Sequence, residues 1–186
     1  MSQIYTQDPD GRLIVPYTLS VFSENNAGLL NKISQILNRR KINIESLTTS
    51  ESEIPGVHRF TIVIETHEDE AKKIVNQIEK IIDVLKAFYH VPEDTIYQEI
   101  AMYKLKTDKA SSTKVEQIIR NHHARILTVD PAYYVIEKTG HKEETQQLLN
   151  DLQPYGVLEF ARSGRIAITK PMKKLSEYLT ELEILN

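Results

Sequence analysis

The residues best suited to hold a ligand are Glu24-Asn25-Asn26-Ala27-Gly28, a turn cluster that leads straight into an apolar stripe at helical spacing. Free N–H groups at a helix N-terminus attract an anion such as a carboxylate, and Gly28 lets a ligand approach the backbone closely. The same residues also read as an ordinary helix start, with Asn26 as N-cap and Gly28 easing a tight turn. The cluster matches neither GxGxxG nor a P-loop, which argues against a nucleotide. The histidines His58, His67, His90, His122, His123 and His141 fall in no HExxH or other metal-ligand spacing. No GxSxG is present. With no Cys in the chain, thiol catalysis, iron–sulfur clusters and Cys-based zinc sites are excluded. The acidic run Glu68-Asp69-Glu70 opens a helix, where the dipole favours it, and reads as a solvated cap. No catalytic or metal-binding set emerges, so the chain reads as a binding module.

The elements that must position this turn follow from periodicity. Tyr17–Ser23 alternates and is rich in β-formers. Leu29, Leu30, Ile33, Ile36 and Leu37 then mark a helix, with Arg39, Arg40 and Lys41 at its C-terminal end. Ile42–Ser50 reads as a strand, Pro55-Gly56 as a turn, and His58–Glu65 as a third strand. Glu68–Ile82 has apolar residues at helical spacing, and Asp83–Val91 reads as a fourth strand. The order is βαββαβ. After a boundary at Pro92-Glu93-Asp94 it recurs: strand Tyr97–Lys106, helix Ser111–His122, strands Ala124–Val129 and Tyr133–Lys138, helix Glu143–Leu152 and strand Val157–Arg162, with Ile166–Ile168 as a further short strand.

The fold class is therefore α+β, two tandem ferredoxin-like βαββαβ domains, each an antiparallel sheet with both helices on one face. The expected division is an N-terminal extension at 1–15, domains at 16–92 and 96–170, and an amphipathic tail at 171–186 marked by Met172, Leu175, Leu179 and Leu182. The helix-free face of each sheet must meet solvent, a partner or a ligand.

The 186 residues carry 23 Lys plus Arg against 26 Asp plus Glu. Residues 1–96 hold 10 basic and 14 acidic residues, and 97–186 hold 13 and 12, so neither half has the basic excess of a nucleic-acid binder. The third strand, HRFTIVIE, has one aromatic residue, too few for an RNA-stacking sheet. No apolar run reaches the roughly 18–20 residues that span a bilayer, and Met1–Gly11 is polar and acidic, unlike a signal or transit peptide. A cytoplasmic protein is expected.

Glu24–Leu30 (EN-x-x-G-x-L), Asn43–Leu47 (NIESL), Asp83-Val84-Leu85 and Glu99–Lys106 (EIAMYKLK) together resemble the ACT domain of the acetohydroxyacid synthase small, regulatory subunit. Thr128–Gly140 (TVDPAYYVIEKTG) and Ala161–Thr169 (ARSGRIAIT) are similar to that family's C-terminal domain. The resemblance implies a non-catalytic subunit that activates a separate catalytic subunit in branched-chain amino-acid synthesis. It implies feedback inhibition, usually by valine, with the amino acid held between paired ACT domains of a homodimer. Thiamine diphosphate, Mg and FAD would belong to the catalytic partner, with no cofactor or metal in this chain. Carried over, the amino-acid site is Asn25, Gly28, Leu29 and Leu30 from the first turn, with Asn43 and Ile44 from the start of the second strand. Nucleic acid and membrane are not expected partners. The sequence departs from the family at Lys41, where Gly is frequent after the first helix, and at Asn31 and Lys32, where Ser and Arg are common. The second half has Thr107-Asp108-Lys109-Ala110-Ser111 in place of the Asn/Gly turn, so no equivalent site is expected there. A stand-alone ACT-type amino-acid sensor is the alternative.

Overall fold

The computed structural model describes residues 5–107 and 113–170, together with Glu177 and Thr180. Apart from those two residues, the expected tail helix lies outside the described residues, as does most of the Thr107–Ser111 turn. The chain divides into two compact units, one ending at Ile96 and joined by residues from Ala167 onward, the other Tyr97–Ile166.

The first unit contains β1 (Thr6–Gln7), β2 (Leu13–Glu24), α1 (Leu29–Arg39), β3 (Ser46–Glu51), β4 (Val57–Thr66), α2 (Glu68–Ile78) and β5 (Val84–His90). Its sheet runs β3-β4-β2-β5, antiparallel throughout. This is the ferredoxin-like arrangement expected of βαββαβ. The residues ahead of Tyr17 add a hairpin, with Thr6 opposite Ile14. Its turn is held by Asp8, whose Oδ1 accepts the N–H groups of Asp10 and Arg12.

Alternation sends Val15, Tyr17, Leu19 and Val21 of β2 and Phe60, Ile62 and Ile64 of β4 to one face. There they bury against Leu29, Ile33 and Leu37 of α1 and Ala71, Ile74 and Ile78 of α2. The opposite face is also buried: Thr18, Ser20, Thr61 and Val63 are each no more than 5% exposed. Arg59 lies across it, donating to Ser20 Oγ at 3.2 Å and to the Ala167 carbonyl at 2.7 Å. The first sheet's helix-free face is thus withdrawn from solvent at these positions.

Two of the boundaries differ from the periodicity reading in ways that matter here. The helix expected over Glu68–Ile82 ends at Ile78, because Lys80 N–H and Ile81 N–H bond three residues back and tighten the chain out of the helix. Ile82 is then 92% exposed. The second strand starts at Ser46 rather than Ile42, because Ile42–Ile44 are spent on the reversal that closes α1.

That reversal puts Lys41 at φ 55. Lys41 N–H bonds the Asn38 carbonyl and Ile42 N–H bonds the Leu37 carbonyl, the paired bonds of a Schellman cap. The cap thus survives without its usual glycine. The second unit repeats it: His123 has φ 51, with His123 N–H on Arg120 and Ala124 N–H on Ile119. Left-handed backbone costs a side-chain-bearing residue about 1–2 kcal/mol, and a new glycine returns about 0.4–1 kcal/mol through the unfolded chain. Lys41→Gly and His123→Gly should each stabilise by a net ~0.5–1 kcal/mol, raising the thermal midpoint by a few degrees. A fall in midpoint on calorimetric scanning would contradict the strain.

The second unit is built from β6 (Thr95–Lys106) from Tyr97 onward, α3 (Thr113–Asn121), β7 (Arg125–Val129), β8 (Tyr133–Gly140), α4 (Lys142–Leu152) and β9 (Val157–Arg162); β10 (Ile166–Thr169) begins at its last residue. The order β7-β8-β6-β9 repeats the first sheet's topology. Tyr103, Leu105 and Ile136 pack beneath Val115, Ile119, Leu148 and Leu152. Tyr103 is fully buried and its hydroxyl donates to the Thr145 carbonyl at 2.6 Å.

Candidate functional site

The strand-to-helix turn of the first unit is exposed from Glu24 to Gly28. Gly28, not Asn26, is the N-cap of α1, with φ 86 and no side-chain hydrogen bond onto the first turn. Leu29 N–H bonds the Asn26 carbonyl at 3.5 Å, while the N–H groups of Leu30 and Asn31 have no side-chain cap and can take an external acceptor. No acidic residue lies in that turn, whereas α2 opens on Glu68, Asp69 and Glu70. In α4, His141 and Glu144 close a capping box. Of these three helix starts, α1 is the one whose dipole and donors stay unanswered by its own side chains. A Cβ placed on Gly28 would meet nothing within 4 Å, so the space in front of the turn is open.

The turn is held from behind. Asn26 Nδ2 donates to Glu24 Oε2 at 3.0 Å and to Asp83 Oδ1 at 2.8 Å. Lys32 Nζ, one turn into α1, donates to Asp83 Oδ2 at 2.6 Å, and Glu24 N–H bonds the Asp83 carbonyl at 3.0 Å. Asp83 thus ties both ends of the turn to the start of β5. The Lys32 ammonium first, and then Asn26, hold the Asp83 carboxyl below the usual carboxylate range. The carboxylate contributes its contacts at neutral pH and loses them only as pH falls through that lowered value.

The expected site residues fall into three groups. Asn25 and Gly28 are exposed at the mouth of the turn, and Leu30 is 40% exposed beside them. Leu29 is 2% exposed and belongs to the core, and its N–H bonds the Asn26 carbonyl at 3.5 Å, so neither its side chain nor its N–H faces a ligand. Asn43 and Ile44 lie in the loop ahead of β3 rather than in the strand; Asn43 is exposed and Ile44 packs partly on the core. These two follow the C-terminal end of α1, while Asn25 precedes its N-terminal end. At 1.5 Å per residue the 11-residue helix between the two loops is roughly 16 Å long. Asn25 and Asn43 thus belong to loops at opposite ends of α1. Sequence reasoning missed the roles of Asn26, Lys32 and Asp83; Asp83 stands out only as part of the Asp83-Val84-Leu85 motif, and its partners are 57 and 51 residues away.

Among the described residues no group of three metal-ligating side chains gathers, and no helix is long and apolar enough to cross a membrane. Residues 19–86 match the family model of the small-subunit-like ACT domain of acetohydroxyacid synthase, and residues 98–171 match that of the small subunit of acetolactate synthase. The acetolactate synthase small subunit of Mycobacterium bovis is 30% identical over 154 residues, 83% of this chain and 92% of that protein. The chain belongs to the acetolactate synthase small-subunit family. The Bacillus subtilis small subunit is 31% identical over 147 residues, 78% of this chain and 86% of that protein. The crystal structure of the Thermotoga maritima small subunit superposes with a TM-score of 0.76 at 27% identity, covering 84% of this chain and 98% of that one. Membership makes this a regulatory subunit with an ACT domain, working with an acetolactate synthase catalytic subunit in branched-chain amino-acid biosynthesis. The ACT model covers the turn, Lys32 and Asp83 alike.

Proposed function

We propose that this small subunit activates a thiamine-diphosphate-dependent catalytic subunit in the cytoplasm and makes it responsive to a branched-chain amino acid, valine first. The chain itself carries no cofactor; thiamine diphosphate, Mg and FAD belong to its partner. The amino acid binds between the ACT domains of two paired chains. The observation that carries this reading is the uncapped, acid-free start of α1 at Gly28. Its N–H groups take the ligand carboxylate, Asn25 and Asn43 accept from the ammonium through their side-chain oxygens, and Leu30 lies against the apolar side chain. The separation of Asn25 from Asn43 along α1 supports a pocket whose second wall comes from the partner chain.

The purified chain should form no acetolactate by itself. Added to its catalytic subunit it should raise the rate of acetolactate formation, and valine should then lower it. Turnover by the chain alone would refute the regulatory assignment. Valine binding without any effect on a catalytic subunit, and without co-purification, would favour a stand-alone sensor.

A further inference from the structure

The amino-acid turn hangs on one carboxylate. Asp83 accepts from Asn26 within the turn and from Lys32 one helical turn later, at 2.8 and 2.6 Å. Its carbonyl also takes the Glu24 N–H at the turn's other end. None of these groups points into the space in front of Gly28 as a capping ligand, since no side chain caps α1. The carboxylate is 14% exposed, while Lys32 is 50% exposed. The bridge is therefore anchored on its acidic side and open to salt on its basic side.

Charge matters as well as geometry. An unpaired Asp83 or Glu24 beside the helix N-terminus would oppose a ligand carboxylate there. Lys32 is the cation that offsets this. We infer that Asp83 and Lys32 are positioning residues for the regulatory amino acid: together they hold the Asn25–Gly28 turn in its binding geometry and make feedback affinity sensitive to ionic strength. This rests on the amino-acid site proposed above, because the latch acts on the ligand through that turn alone.

The test uses the full chain reconstituted with its catalytic subunit, with valine as the probe and the half-inhibiting concentration as the readout. Asp83→Asn and Lys32→Gln should each raise that concentration at least 10-fold. The exchange pair Lys32→Asp with Asp83→Lys restores the ion pair though not the acceptor for Asn26, and should recover part of the loss, which simple damage to folding would not do. In the wild type the half-inhibiting concentration should rise as salt goes from ~0.05 to ~0.5 M, because the Debye length falls from roughly 14 Å to roughly 4 Å and the exposed side of the ion pair is screened; in Asp83→Asn it should stay nearly flat. Inhibition of the wild type with Asp83→Asn and Lys32→Gln both within twofold of it overturns the latch and leaves the amino-acid site standing. A wild type that binds and responds to no branched-chain amino acid overturns both.

Discussion

Gly28→Asp should abolish feedback inhibition by valine while leaving activation of the catalytic subunit largely intact. Gly28 is the N-cap of α1 at φ 86, a backbone region where a side chain costs about 1–2 kcal/mol. The direction of its missing Cβ is open to at least 4 Å, so no packing within the chain is crushed. What the aspartate brings is a second carboxylate where the ligand's carboxylate belongs. It repels the ligand, and it also caps the very N–H groups that the ligand needs. The core residues Leu29, Ile33 and Leu37 keep their places, so the fold survives a modest loss of stability. Rate measurements on the reconstituted enzyme across a valine titration decide the matter. Unchanged inhibition would place the amino acid elsewhere.

Asn25→Ala and Asn43→Ala should each weaken valine strongly, although they lie at opposite ends of α1. Each removes a hydrogen bond to a charged group, worth about 1.5–3 kcal/mol, or roughly a 10- to 150-fold loss in affinity. Both side chains are exposed in the chain, so truncation leaves no buried group unpaired and stability should change little. Calorimetric titration with valine measures both losses; an effect at one position alone would mean that the pocket has one of the two walls.

Much of this architecture is legible from the residues. Period-two alternation in Tyr17–Ser23 and His58–Glu65 and the i, i+4, i+8 spacing of Leu29, Ile33 and Leu37 place the sheet, the helix and the core they share. The exposed turn before α1 is legible too, because Asn and Gly cluster ahead of an apolar stripe. What is not legible depends on long-range geometry. Asn26 is an N-cap by residue type, but Asp83 draws its amide away across 57 positions and leaves Gly28 as the cap. Lys41 looks incompatible with a left-handed cap, yet the bonds to Leu37 and Asn38 hold it there. Asn43 and Ile44 carry β-strand patterning but are taken by that same reversal, so the strand starts at Ser46. The burial of Thr18 and Ser20 opposite the helices has no local signature at all.

The measurement that bears most directly on a regulatory amino-acid site shared between two chains is the valine stoichiometry of a mixed dimer. One chain carries Asn25→Ala and its partner carries Asn43→Ala, each with a different affinity tag so that the mixed species is purified. In a shared pocket, one site collects both substitutions and the other pairs an intact Asn25 with an intact Asn43. Calorimetry should then find one site per dimer with wild-type affinity, where each homodimeric variant has none. A mixed dimer with no tight site would contradict the account, because that result requires each chain to hold its amino acid alone.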